Sequence, residues 1–150
     1  MSAAETVPGT EFFYGDGADR AAMARLGLGG IAVAGGRGFF GSMAINLTTL
    51  ARVAEADTIT NETRICMDEI VARLSVIGGG RGDIIKITAF ADKKEYIPEM
   101  WAALDAFFDG SHKPKRITIV AGVAVDCNLE FEVLVARGEM LVARGEASAA

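Results

Sequence analysis

The stretch that most constrains this chain is HKPKRITIVAGVAVDCNLEFEVLVAR, from His112 to Arg137. It reads as two β-strands, Arg116–Ala124 and Leu129–Ala136, with Val125, Asp126, Cys127 and Asn128 as the turn between them. The first strand is rich in β-branched residues, which suit a pleated, half-buried surface. The second alternates, with Leu129, Phe131, Val133 and Val135 on one face and Glu130 and Glu132 on the other. Two charges in this pair need an explanation. Arg116 stands where the chain leaves the stiff Lys113-Pro114-Lys115 lead-in, and Glu130 opens the alternation of the last strand. An arginine held at a strand end can offer a planar fork to a carboxylate; it can equally be a solvated strand end.

Register gives a distance. In a direct hairpin turning near Asp126 and Cys127, Arg116 faces Arg137 and Glu130 faces Val123. At about 3.3 Å per residue, Arg116 and Glu130 then lie roughly 20 Å apart along the strands. They can share a site only across a subunit boundary, or if the two strands are not neighbours.

The whole chain of 150 residues is the size of one domain with a substantial core. A formal net charge of -5 without a basic stripe speaks against a nucleic-acid partner. Cys66 and Cys127 match no metal-ligand spacing, and with a single histidine no metal site is expected. No apolar run reaches membrane-spanning length, and MSAAETVPGTEFF lacks a basic segment followed by an apolar one, so no membrane association and a cytoplasmic protein are expected.

In order along the chain, residues 1 to about 20 read as a loose arm with an aromatic knot at Phe12, Phe13 and Tyr14, and Ala18–Leu28 as a short helix. Ile31–Ala34 and Phe39–Asn46 read as strands joined at Gly35-Gly36-Arg37-Gly38, a hairpin. The run Gly36-Arg37-Gly38-Phe39-Phe40-Gly41 spells G-x-G-x-x-G. The dinucleotide fingerprint needs a helix opening at those glycines, and Phe39 onward reads as strand, so no nucleotide is expected there. A helix follows from Asp57 or Thr58 to Ile77, with Cys66, Ile70, Leu74 and Ile77 at helical spacing and glycines to end it. Ile84–Ala91 is a mostly apolar strand, and Glu95–Phe108 a second helix whose stripe is Ile97, Met100, Trp101, Leu104, Phe107 and Phe108. The sum is an α+β domain, a two-layer mixed sheet with two helices on one face. Apolar residues on both sheet faces call for self-association. The domain is expected over residues 31–137, between a divergent arm, 1–30, and a tail, 138–150, in which a copy of LVARGE repeats.

Several segments together resemble the reactive-intermediate deaminase (Rid, YjgF-type) family. They are Gly41-Ser42-Met43-Ala44-Ile45-Asn46, Asn61-Glu62-Thr63-Arg64, Gly82-Asp83-Ile84-Ile85-Lys86-Ile87-Thr88-Ala89-Phe90, Met100-Trp101 with Phe107-Phe108, Pro114-Lys115-Arg116-Ile117-Thr118-Ile119 and Leu129-Glu130-Phe131-Glu132. They cover about residues 39 to 137 in family order. The resemblance implies a homotrimer of chorismate-mutase-like subunits with clefts at the subunit boundaries. It implies hydrolytic release of ammonia from enamines or imines that carry a carboxylate, with no metal or organic cofactor. Arg116 would bind the substrate carboxylate and Glu130 would place the water, with Thr118, Gly41 and Trp101 lining the pocket. Departures are visible: no tyrosine stands near Gly29-Gly30-Ile31-Ala32, Thr118 occupies a frequent cysteine position, and Trp101 a common asparagine position. These fit a divergent subgroup, with a larger unsaturated amino acid such as 2-aminomuconate as one substrate class. A non-catalytic trimeric binder of small carboxylates is the alternative, and an acidic chain with one histidine is poorly equipped as a ribonuclease.

Overall fold

The structure, a computed structural model, describes residues 9–13, 17–28 and 30–136, leaving aside the side chains of 17–19. Tyr14, Arg137 and the 138–150 tail lie outside the described residues. The elements are β1 (Thr10–Phe13), α1 (Gly17–Leu26), β2 (Ile31–Ala34), β3 (Arg37–Ser42), α2 (Ile59–Val76), β4 (Ile84–Ala91), α3 (Ile97–Phe107), β5 (Lys115–Val120) and β6 (Leu129–Ala136). All the strands join one mixed sheet in the order β1-β2-β3-β6-β4-β5, with α2 and α3 packed on each other over one face. Thus the described part of the N-terminal stretch supplies an edge strand and a helix to the domain.

Local sequence explains the helices. Thr58 is extended and its side chain accepts the Asn61 N–H, capping α2. The buried face of α2 runs Ile59, Glu62, Thr63, Cys66, Met67, Ile70 and Leu74. Gly78, at φ +75°, follows the helix end in the left-handed conformation that glycine tolerates. In α3, Pro98 occupies the first turn and Met100 and Leu104 are buried. Trp101, read as part of the core stripe, is 45% exposed instead. Among the described residues, no helix is long and apolar enough to cross a membrane.

The glycine-rich run is a hairpin between two strands. Gly35 and Gly36 both take positive φ, 56° and 72°, as a two-residue turn with the sheet's twist requires. Gly38 and Gly41 answer to close packing: a Cβ on Gly38 would lie 2.7 Å from Val135 Cγ2, and one on Gly41 would lie 3.0 Å from the Phe131 carbonyl oxygen. The third glycine of the pattern thus lies on a strand, against a neighbouring backbone, and not at the start of a helix.

The hairpin expected for the last two strands does not form. β4 lies between them, parallel to β5 and antiparallel to β6. The crossover through α3 returns the chain in the direction of β4, so β5 can only pair in parallel and takes the outer edge. From Val120 the chain then passes the end of β4, where Ala121 N donates to Ala91 O and Asp92 N to Asn128 O, and enters β6 on the other side. The first strand is correspondingly shorter than expected, Lys115–Val120 rather than Arg116–Ala124.

Candidate functional site

Arg116 pairs with Ile87 across the β4–β5 ladder, and so projects from the helix-covered face. Its Nη2 donates to Asp105 Oδ1 at 2.9 Å, its Nη1 to the Trp101 carbonyl at 3.4 Å, and its guanidinium lies 5.9 Å from the Trp101 ring centroid. Arg116 holds the Asp105 carboxyl below the usual carboxylate range, chiefly through that hydrogen bond. Thr118 lies two residues along on the same face, and its hydroxyl accepts the Trp101 indole N–H at 2.9 Å. Arg116, Thr118 and Trp101 therefore come together on one end of α3 and the edge strand. Beside Arg116 opens a notch of only about 10 Å³, lined among others by Asp105, Lys113 and Pro114.

Glu130 and Gly41 belong to a different place. Leu129 and Phe131 are fully buried under the helices, so alternation turns Glu130 to the uncovered face, level with Phe90. Burial, and then the charge of Glu132 on the same face, push the Glu130 carboxyl up from its ordinary range. Along β4 the partners of Arg116 and Glu130 are Ile87 and Phe90, and β4 separates β5 from β6. Three residues along and two strand spacings across put the two Cα atoms roughly 14 Å apart, shorter than the hairpin distance but on opposite faces. Within one chain they do not meet.

Gly41 and Glu130 instead line a hollow of about 200 Å³ with Ser42, Glu69 and Arg73. Ser42 donates to Glu69 Oε2, Glu69 pairs with Arg73, and Arg73 Nη1 donates to the Gly41 carbonyl at 3.2 Å. Sequence reasoning missed this array. Its one local signal was the Glu69, Arg73 pair at helical i,i+4 spacing.

A second missed residue holds the frame. Glu62 is wholly buried, and its carboxylate accepts the backbone N–H groups of Asn128 and Leu129 and the Asn128 amide. It fastens α2 to the first residues of β6, next to Glu130. Cys66 and Cys127 are buried free thiols whose pKa values rise through burial, that of Cys127 to about 11, so neither is primed as a nucleophile. Among the described residues, no group of three or more His, Cys, Asp or Glu could hold a metal ion.

No protein-family model and no curated protein matches the chain. Solved structures do. A protein of unknown function from Yersinia pestis, YyfA of the conserved Rid protein family, superposes with a TM-score of 0.64 at 23% identity, over 71% of this chain and 85% of its own. The fold is that of the Rid proteins. TdcF from E. coli, solved with bound serine, gives 0.63 at 22% identity over 72% and 86% of the two chains. An uncharacterised Pseudomonas aeruginosa protein gives 0.67 at 18% identity over 85% and 98%. On this Rid fold, Arg116 and Thr118 occupy the outer strand of the sheet, while Gly41 and Glu130 flank its centre on β3 and β6.

Proposed function

We propose that the chain is a divergent member of the reactive-intermediate deaminase family, acting in the cytoplasm as a homotrimer on enamine or imine intermediates that carry a carboxylate. The observation that carries this reading is the division of the candidate residues into two half-sites of one Rid-fold chain. Arg116, Thr118 and Trp101 cluster at the β5 edge, and Glu130 and Gly41 lie two and three strands away. A second copy packed against the β5 edge would face one half-site with the other. Exposed Phe12, Phe39, Ile117 and Ile119 on the uncovered face favour such packing, because a monomer would leave that apolar surface in water.

The chemistry asks little of the protein. The imine carbon is already electrophilic; Arg116 fixes the carboxylate, and Glu130 takes a proton as water adds to the C=N bond. That proton goes to nitrogen to give a carbinolamine; Glu130 then takes the carbinolamine's hydroxyl proton and passes it to nitrogen as the C–N bond breaks, so that a ketone and ammonia leave. A carboxyl with a raised pKa suits this exchange. The absence of a tyrosine near Gly29-Gly30-Ile31-Ala32 favours a second reading, a trimeric binder of small carboxylates without turnover, which needs only the arginine.

Freshly generated imino acids decide between the two: the deaminase speeds ammonia release, and the binder only binds. Glu130→Gln is expected to slow turnover with ligand binding nearly intact. It is also expected to change the pH dependence of stability. The raised folded-state pKa of Glu130 stabilises the fold at pH below the unfolded carboxyl's value of about 4.5 and loses that contribution as pH rises through the folded value. The Gln variant should therefore gain on the parent between acid and neutral pH. Light scattering should give about three times the 15.7 kDa chain mass, and a monomer at micromolar concentration removes the shared cleft.

A further inference from the structure

We propose that a charge-paired seam docks two copies: Lys86 and Lys115 of one copy seat on Glu132 of the next, and the seam brings Arg116 of the first to Glu130 of the second. The inference rests on the shared-cleft reading and adds the residues that fix how the copies meet. All three side chains belong to the uncovered face. Glu132 lies two residues after Glu130 on β6, with Thr88 of β4 on one side and Gly41 of β3 on the other. Two residues before Thr88 stands Lys86, and its direct partner on β5 is Lys115. Ladder partners, and every second residue of a strand, share a face.

Lys86 and Lys115 set two like charges side by side, which repel. Among the described residues, no ion pair engages either lysine or Glu132. Lys115 and Glu132 are exposed, and Gly41 beside the carboxylate has no side chain to cover it. The apolar side chains of the face divide in the same way. Exposed Ile117 and Ile119 accompany the lysines on β5, and exposed Phe39, with Leu134 across from it, accompanies Glu132 on β3 and β6. The face thus carries two patches of similar apolar character and opposite charge. When copies bury this face, like patches set lysine against lysine, and only unlike patches cancel the charge. One patch meeting the other head to tail is a heterologous contact, the kind that closes into a ring. Sequence neighbours tie the seam to the chemistry. Arg116 follows Lys115 on β5, and Glu130 stands two residues from Glu132, so seating Lys115 on Glu132 carries the Arg116 edge to the Glu130 half-site.

Disulfide cross-linking tests the seam. Within one chain, residues 115 and 132 are two strand spacings and two residues apart, roughly 12 Å between Cα atoms. A disulfide needs Cα atoms within about 7 Å, so Lys115→Cys with Glu132→Cys can close one only between copies. Native Cys66 and Cys127 are buried. On mild oxidation the double variant is expected to give a ladder ending at three copies on a non-reducing gel, absent from the parent and from each single variant. A ladder ending at two copies, equal cross-linking in a single variant, or no cross-link overturns the seam. Charge reversal gives a second readout by light scattering, on variants shown to be folded by their far-UV melts. Lys86→Glu with Lys115→Glu is expected to raise the concentration for half-assembly about 10-fold or more, and adding Glu132→Lys to restore it. No loss in the double variant, or equal loss in the triple, overturns the pairing. A monomeric parent removes the shared cleft along with the seam; a trimeric parent that fails both tests loses the seam alone.

Discussion

Glu62→Ala is expected to destabilise the fold by about 3–5 kcal/mol, the usual cost of stripping one partner from a buried charged network. The carboxylate is fully buried and each oxygen is committed. Oε1 accepts the N–H groups of Asn128 at 2.7 Å and Leu129 at 2.9 Å, and Oε2 accepts the Asn128 amide at 2.8 Å with Arg52 Nη1 at 3.6 Å. Alanine leaves two backbone donors at the mouth of β6 without an acceptor, and each such orphan costs about 1–3 kcal/mol. Glutamine is only a partial rescue: its oxygen can keep the two backbone N–H groups and its nitrogen can meet the Asn128 amide turned over, but that nitrogen then faces Arg52 Nη1, donor against donor. For a chain of this size each kcal/mol moves Tm by about 2–4 °C, so a melt about 6–20 °C below the parent is expected. A melt within about 2 °C of the parent would mean that water replaces the carboxylate at no cost. Because the fastened residues lead directly into Glu130, the same variant should also blunt any activity that depends on that side chain.

Arg116→Ala should abolish most turnover while leaving the fold nearly unchanged. The Asp105 pair is partly exposed, and solvent screens such pairs so that they add little to stability. A charge-assisted bond to a substrate carboxylate in a partly dry cleft contributes about 1.5–3 kcal/mol, roughly a 10- to 100-fold loss if it is felt in the transition state. Arg116→Lys keeps the charge and loses the fork, so it should recover little. Asp105 provides the internal control. Asp105→Asn releases the guanidinium from its internal partner, and substrate KM should fall if Arg116 is the carboxylate anchor. Full imine-hydrolysing activity in Arg116→Ala would leave the arginine with nothing but its structural pair, and its role as carboxylate anchor would be wrong.

The two predictions differ in how far the residues could be read in advance. Arg116 stood out as a charge where the chain enters a strand, and the Rid resemblance gave it a role. Glu62 stood in the Asn61–Arg64 segment of the resemblance and in the first turn of a helix, where an acid suits the helix dipole, but neither gave it a partner. Its partners, Asn128 and Leu129, are more than 60 residues away in sequence. Nothing local distinguishes a solvated first-turn glutamate from a buried one. Trp101 shows the reverse error: it fits the apolar stripe of α3, but its indole N–H reaches Thr118 across the strand edge and the ring stays half outside.

By itself the sequence determined most of the local elements, though it read β1 as part of a loose arm and placed the strand after the glycine turn at Phe39–Asn46 rather than Arg37–Ser42. Hydrophobic periodicity, the Thr58 cap, the Gly35-Gly36 turn and the glycine after α2 depend on residues within one or two turns of each other, and they give the α+β inventory and the hairpin reading of the glycine run. Tertiary structure alone decided the neighbours. Whether β5 turns back on β6 or crosses over to lie beside β4 depends on where α3 packs, a contact that no window of sequence contains. That choice moved Arg116 and Glu130 from neighbouring strands of an expected hairpin to strands with β4 between them, on opposite faces of the sheet in either arrangement. The physical reason is chain direction: a crossover through a helix brings β5 back parallel to β4, so it pairs at the outer edge, and the register there sets how far Arg116 lies from Glu130.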